Sequence, residues 1–325
     1  MKGEINMIIV TGGAGFIGSN IIRAMNERNY RDILIVDNFG KGDKYKNLVG
    51  LTFEDCMSIE DFLKAITEYR IHGATVIFHE GACSDTMEYD VDYMIKTNYE
   101  YSKALLNYCI ANRVDFIYAS SASTYGAGAN GFREVEECES ALNPYAFSKL
   151  LFDRYVRRNM HLAKSKLIGL RYFNVFGPQE QHKGKMASIT YQMYQQIKNG
   201  GVIKLFKGTD GYADGEQKRD FIYVKDVARV NIYCGENDVA NGIYNCGTGN
   251  ATTYNALAQA VINALGTGKI EYIDMPTELI GKYQSFTQAD TKKLLDTGFK
   301  GDFTSIEDAV KEYCTFLNEG GYYKC

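Results

Sequence analysis

An apolar run, Met7-Ile8-Ile9-Val10, opens directly onto Thr11-Gly12-Gly13-Ala14-Gly15-Phe16-Ile17-Gly18, after which Ile17, Ile21 and Met25 recur at helical spacing. A strand, a glycine loop and a helix in that order leave few folds open. Glycines at 12, 15 and 18 let the backbone turn tightly, approach a pyrophosphate and pack the helix on a sheet, with the helix N-terminus facing the anion. A bare glycine triplet would be weak evidence. Here the second strand, Ile33-Leu34-Ile35-Val36, follows at the right distance and runs into Asp37-Asn38, where an acidic side chain would meet the adenosine ribose. The chain is therefore expected to begin with a dinucleotide site.

The alternation of strand and helix continues through the first half. The pattern predicts a strand before Asp55, a helix over 59–69, a strand over 75–78, a helix over 93–112 and a strand over 116–120. Such alternation implies an α/β fold, a Rossmann-type doubly wound parallel sheet with ligands at the carboxyl ends of its strands. Those ends carry His79-Glu80-Gly81-Ala82-Cys83-Ser84 and Ser120-Ser121-Ala122-Ser123-Thr124-Tyr125-Gly126. Beyond 178 the pattern is less regular: a helix over 187–198, a short strand over 203–206, a polar loop over 208–217, and then Arg219-Asp220-Phe221-Ile222-Tyr223-Val224. This divides the chain into a dinucleotide-binding domain over 1–178, to which 219–247 returns, and a smaller α/β substrate-binding lobe from 179–218 and 248–325. With only three prolines, no low-complexity segment and no internal repeat, nothing marks a flexible linker.

Composition narrows the class. A chain of 325 residues with 45% hydrophobic content can bury a large core. No apolar stretch reaches the roughly 18 residues of a membrane helix, and Lys2, Glu4 and Asn6 interrupt the terminus where a secretory signal would need an apolar run. A net charge of −4 gives no basic footprint for nucleic acid. The eight cysteines contain no C-x-x-C pair and are read as reduced and largely structural, which implies the cytoplasm. The four histidines are scattered and give no metal signature.

Tyr145-Ala146-Phe147-Ser148-Lys149 carries the chemistry. Asn143 suits an N-cap and Pro144 the first helical position, so Tyr145 is expected in a helix's first turn with Lys149 on the same face. Half-ionising a phenol of pKa about 10 near neutrality takes a fall of roughly 3 units, or about 4 kcal/mol. One ammonium at about 4 Å through an effective dielectric of about 20 supplies on the order of 4 kcal/mol. On this reading Lys149 keeps Tyr145 a working base.

The glycine loop, Asp37, the Ser-Ser-Ala-Ser-Thr-Tyr-Gly segment, Tyr145-x-x-x-Lys149 and Arg171-Tyr172-Phe173-Asn174-Val175-Phe176-Gly177-Pro178 together resemble the extended short-chain dehydrogenase/reductases acting on nucleotide sugars, the NAD-dependent epimerase/dehydratase family. More narrowly, the chain is similar to the ADP-glyceromanno-heptose 6-epimerases. That similarity rests on the 79–84 segment, His182-Lys183-Gly184, Met186-Ala187-Ser188, Lys218-Arg219-Asp220-Phe221 and Tyr283-Gln284-Ser285-Phe286-Thr287-Gln288-Ala289-Asp290, and it runs from about Met7 to Asn318.

The resemblance implies inversion at carbon 6 of the heptose in ADP-D-glycero-β-D-manno-heptose, giving a precursor of the lipopolysaccharide inner core, through transient oxidation by a tightly bound nicotinamide. Because a hydroxyl proton must be handled on both faces, two acid/base groups are expected. Tyr145 matches one and Lys183 the second, with Ser121 hydrogen-bonding the reacting oxygen and Lys149 binding nicotinamide-ribose hydroxyls. By resemblance, Gly12, Gly15, Phe16, Ile17, Gly18, Asp37, Asn38, Lys44, Glu80, Gly81, Ala82, Cys83, Ser84, Asn98, Lys149, Val175 and Lys183 contact the cofactor. Ser121, Asn174, Lys185, Gln192, Phe206, Arg219 and Tyr283 fall on the substrate. Arginine suits a diphosphate through bidentate hydrogen bonds. Members of the family assemble as homo-oligomers, including pentamers.

Absences and departures refine the expectation. Dehydratases of the superfamily carry an acidic pair where this chain has Ala122 and Ser123, so dehydration is disfavoured. Lys185 stands where the heptose enzymes often have serine, Gln192 where they can have histidine, and the loop 209–217 is longer than theirs. Asp37 would repel the 2′-phosphate of NADP, which Lys44 can offset; NADP is the expected cofactor and NAD the alternative. A 4-epimerase of another nucleotide sugar would share Tyr145, Lys149 and Ser121 without requiring Lys183. A nucleotide-binding homologue without catalysis is the alternative from another class.

Overall fold

Along β1 (Met7–Thr11) the side chains of Ile8 and Val10 enter one apolar cluster while Ile9 enters another. The same split recurs in β2 (Ile33–Val36), where Ile33 and Ile35 part from Leu34 and Val36. Period-two strands with both faces apolar must be covered on both sides. Each such Ile or Leu taken out of water is worth roughly 1.5–3 kcal/mol. This computed structural model describes residues 7–276 and 284–324.

Five more strands complete the main sheet: β3 (Asp55–Met57), β4 (Ala74–His79), β5 (Asp115–Ser121), β6 (Leu167–Tyr172) and, after an excursion, β10 (Gly242–Cys246). Their order is β10-β6-β5-β4-β1-β2-β3, all neighbours parallel. Helices Phe16–Glu27 and Val224–Glu236 cover one face. Helices Ile59–Thr67, Tyr101–Asn112 and Pro144–Asn159 cover the other. β1 lies between β2 and β4, so the chain reverses direction across the sheet at that point and a crevice opens beyond the strand ends.

The excursion builds the second lobe. β7 (Asn174–Phe176), β9 (Lys218–Tyr223) and β11 (Ala251–Thr253) form a three-stranded sheet, and β8 (Val202–Phe206) pairs in parallel with β12 (Lys269–Ile273). Helices Ile189–Gly200, Tyr254–Leu265 and Ile306–Asn318 close over them around Met193, Ile203, Leu257 and Val310. Residues 218–223 thus belong to the small sheet, and the chain rejoins the main one with the following helix and β10. Among the described residues, no helix is long and apolar enough to cross a membrane.

Candidate active site

The glycine loop closes the crevice by direct contact. Gly12 has φ +68°, and a Cβ there would meet the Gly81 nitrogen at 2.6 Å, so only glycine lets the ends of β1 and β4 touch. In helix Phe16–Glu27 a Cβ on Gly18 would stand 2.8 Å from Gly13 Cα, which fixes how closely that helix approaches the loop. The helix begins at Gly15 without a side-chain cap or an acidic first turn, so its free backbone N–H groups attract an anion. At the end of β2 the Asp37 carboxylate accepts from Ala14 N at 2.9 Å and from Lys44 Nζ at 2.5 Å. A tight loop, an open helix N-terminus and a strand-end acid fit a nicotinamide dinucleotide.

A cavity of about 680 Å³ runs from this loop past Tyr145 and Lys149 to Phe221 and Tyr254. Its walls include every expected cofactor contact except Asn98, together with Ser121, Tyr145, Asn174 and Lys183. Asn98 acts from behind the wall, accepting from Cys83 N at 2.8 Å and donating to Cys83 O at 2.9 Å. It stands in a π-helical stretch, Ile95–Glu100, continuous with the helix that follows, and such widened turns recur at functional sites. His79 ties the same region together. The Ser102 hydroxyl is spent on Asn98 O at 2.5 Å, so His79 Nε2 donates to Ser102 at 2.8 Å and Nδ1 accepts from Thr11 at 2.6 Å. Burial lowers His79 to about 3, keeping it neutral.

The helix carrying Tyr145 starts as its sequence requires, with Asn143 Oδ1 accepting from Ala146 N at 2.8 Å and Pro144 in the first turn. The electrostatics differ from the sequence expectation. Burial raises the Tyr145 phenol above its ordinary value, a hydrogen bond from Ser121 pulls it down, and the charges of Cys83 and Glu80 push it up. Lys149 is not among the causes. Its ammonium donates to Ala119 O at 2.8 Å, turned toward the sheet, and burial lowers it to about 8. The donor that favours a phenolate here is Ser121.

Lys183 lies in the turn Gln181–Met186, its Nζ 5.6 Å from the centroid of Phe16, at the start of the first helix. Burial lowers its ammonium against the supporting charge of Glu180. Beside it burial lowers His182 to about 4, aided by the charges of Lys44 and Lys183. Of the expected substrate residues, Ser121 and Asn174 are on the cavity wall, whereas Lys185, Gln192, Phe206 and Arg219 are not among its described lining residues. Gln192 Nε2 donates to the Lys185 and Ala187 carbonyls at 3.2 and 3.1 Å. Tyr283 lies outside the described residues.

Behind the wall two buried networks hold these elements. Arg171, fully buried, reaches Asp153 from Nε at 2.9 Å and Glu139 from Nη2 at 2.5 Å, while Asp153 also accepts from Tyr118 and Ser120 at 2.9 Å each. This joins β5 and β6 to the Tyr145 helix. Asp220 accepts from Thr248 N, Thr248 Oγ1, Gly249 N and Ala289 N at 2.8–3.0 Å, clamping the 286–290 segment against the small sheet. Two of the specific-looking segments are therefore tied to each other. Seven described cysteines carry free thiols, five of them buried, while Cys83 is on the cavity wall. Among the described residues no group of His, Cys, Asp and Glu could hold a metal ion. The sequence reading missed Tyr172, Tyr93 and Tyr101 on the wall. Tyr172 ends β6, so the rule that selected the other strand ends could have found it; the two helical tyrosines carry no such signal.

The family model of the NAD dependent epimerase/dehydratase family matches residues 8–247. Among solved structures, the chain is similar to the ADP-L-glycero-D-manno-heptose-6-epimerase of Helicobacter pylori, at 31% identity over 98% of both chains with a TM-score of 0.83. It is similar also to the UDP-N-acetylglucosamine 4-epimerase of Methanobrevibacter ruminantium, at 28% identity over 97% of this chain and 99% of that one, TM-score 0.84. The UDP-glucose 4-epimerase of Thermotoga maritima matches at 28% identity over 96% and 99%, TM-score 0.80.

Proposed function

The chain belongs to the NAD dependent epimerase/dehydratase family and is a nucleotide-sugar epimerase, and from that premise we propose that it inverts carbon 6 of ADP-D-glycero-β-D-manno-heptose. The observation that carries this reading is that Tyr145 and Lys183 line the same cavity. Tyr145 comes from a helix on one face of the main sheet, and Lys183 stands against the first helix, which covers the other. Two such groups can serve opposite faces of a sugar carbon.

When bound, the nicotinamide supplies a reversible hydride acceptor. As phenolate, Tyr145 takes the hydroxyl proton as carbon 6 becomes a carbonyl, and Ser121, once the phenol is neutral, turns its one proton to the reacting oxygen. Lys183, its ammonium weakened by burial, exchanges the proton on the other face. Asn174 positions the sugar from the end of the small sheet. The proposed cofactor is NADP, because Lys44 pairs with Asp37 and so offsets the repulsion of a 2′-phosphate; titration with NAD and NADP separates the two.

One observation favours a second reading. Lys183 sits over Phe16 at the uncapped helix start, where an ammonium would serve a diphosphate, and Tyr145 alone would then support a 4-epimerase. The discriminating experiment follows ADP-D-glycero-β-D-manno-heptose by NMR in deuterated water. Inversion at carbon 6 without deuterium there is expected, and Lys183→Met should abolish it. Deuterium at carbon 6 would refute transient oxidation, full activity in Lys183→Met would remove the second base, and turnover of UDP-hexoses alone would favour the second reading.

A further inference from the structure

Glu180 is a fully buried acid that has no part in the reaction as described. Its main chain opens the turn Gln181–Met186, where Lys183 N donates to Glu180 O at 2.9 Å. Its side chain reaches both ends of the segment around that turn. Oε1 accepts from Gly177 N, three positions earlier, at 3.2 Å and from the Ser188 hydroxyl at 2.7 Å. Oε2 accepts from Ser188 N, eight positions later, at 2.5 Å. Gly177 follows β7, and Ser188 caps helix Ile189–Gly200 by accepting from Tyr191 N at 3.2 Å. One carboxylate thus ties the small sheet to that helix across the base of the turn.

The turn needs such a tie. Gly177 has φ +140° and Gln179 φ +77°, and a non-glycine residue holds that backbone only where its surroundings impose it. Asn47 does so for Gln179, donating from Nδ2 to Gln179 O and accepting at its own carbonyl from Gln179 Nε2, each at 3.1 Å. At the tip Gly184 and Lys185 are exposed, and no atom lies within 4 Å of where a Cβ on Gly184 would stand. The tip therefore hangs on its two ends. Gln181 on Gly321 O and His182 on Asn47 steady the first half, and Gln192 takes the carbonyls of Lys185 and Ala187 in the second. Of these side chains only that of Glu180 engages both ends.

We propose that Glu180 is a positioning residue whose carboxylate fastens the two ends of this turn and so holds Lys183 at the cavity. It rests on Lys183 being the second acid–base group. Lys183, Met186, Ala187 and Ser188 line the cavity together with Asn174, so movement at either end of the turn would displace the lysine from the sugar. The tie calls for a carboxylate because both oxygens accept. A glutamine amide, whichever way it turned, would set its own N–H groups against the N–H of Gly177 or of Ser188.

Hydrogen exchange on the full chain, read by mass spectrometry on peptides spanning 181–188 and on peptides from β1 and β5, compares Glu180→Gln with the parent. Losing hydrogen bonds to a charged acceptor should speed exchange over 181–188 by roughly tenfold or more, with β1 and β5 unchanged. Displacing the lysine should lower kcat on the ADP-heptose by roughly 10- to 100-fold, with KM within about threefold. Unchanged exchange over 181–188 in folded Glu180→Gln overturns the proposal whatever happens to turnover. Exchange that quickens equally in β1 and β5, or a raised KM at unchanged kcat, also overturns it. If the variant does not fold, Ser188→Asp keeps a helix cap while replacing the hydroxyl donor with a like charge; unchanged exchange over 181–188 there overturns it instead. Lys183→Met is assayed alongside. Full kcat in that variant counts against the proposed reaction, and the exchange result alone then decides whether Glu180 holds the turn.

Discussion

Ser121→Ala isolates the hydrogen bond on which Tyr145 depends. The Ser121 oxygen accepts from Ser123 N at 3.2 Å and from the Ser123 hydroxyl at 2.9 Å, leaving its own proton free for Tyr145. That bond is the chief influence lowering the Tyr145 pKa against burial. A hydrogen bond to a charged group contributes about 1.5–3 kcal/mol, so its loss should slow the step by about 10- to 150-fold at 1.36 kcal/mol per decade. Removing the donor raises the phenol further. If phenolate is the base, the ascending limb of kcat then moves to higher pH, and the variant regains part of its deficit in alkaline buffer.

A purely structural role predicts something else. Ser121 also caps the short turn Ala122–Tyr125, and losing a cap costs about 0.5–2 kcal/mol of stability. Urea denaturation measures that separately from the kcat–pH profile. A kcat within about twofold of the parent and an unmoved ascending limb would refute the reasoning, even with stability reduced. Ser121→Thr retains the hydroxyl and should restore the limb wherever its extra methyl is accommodated.

Two further predictions concern the scaffold. Gly18→Ala places a Cβ against the Gly12 carbonyl and 2.8 Å from Gly13 Cα, so the loop must shift; overpacking of about 1–3 kcal/mol should weaken dinucleotide binding by about 5- to 150-fold, and unchanged affinity by calorimetry would refute the proposed cradle. Arg171→Met removes the cation from between Asp153 and Glu139 in a fully buried setting, and should cost about 3–5 kcal/mol by urea unfolding; a loss below about 1 kcal/mol would show that these carboxylates are otherwise satisfied.

What the sequence disclosed was local. The apolar run Met7-Ile8-Ile9-Val10, the glycine loop and the Asn143-Pro144 helix start are each decided within a few residues, and each stands where the pattern put it. The direction of Lys149 is not local. Spacing puts it on the face of Tyr145, but its ammonium is drawn to a carbonyl 30 positions earlier, on β5, which no helical periodicity reports. Asp220 shows the same gap. Its sequence neighbours suggested ligand contacts, whereas its oxygens are engaged by segments 28 and 69 positions later. The π-helical turn at Asn98 left no trace in composition or pattern.

The misplaced expectation about Lys149 changes how the reaction would be balanced. A tyrosine kept fully ionised by a neighbouring ammonium would be a ready base but a poor acid, and an epimerase must return each proton it removes. Burial raises Tyr145 and one hydrogen bond from Ser121 opposes it, so the phenol is a ready acid and serves as base only in the ionised fraction that Ser121 supports. Lys149, lowered to about 8, and Glu80, raised to about 7, lie close to neutrality on the same wall. A group that can both accept and return a proton suits a reaction whose substrate and product differ only at one carbon.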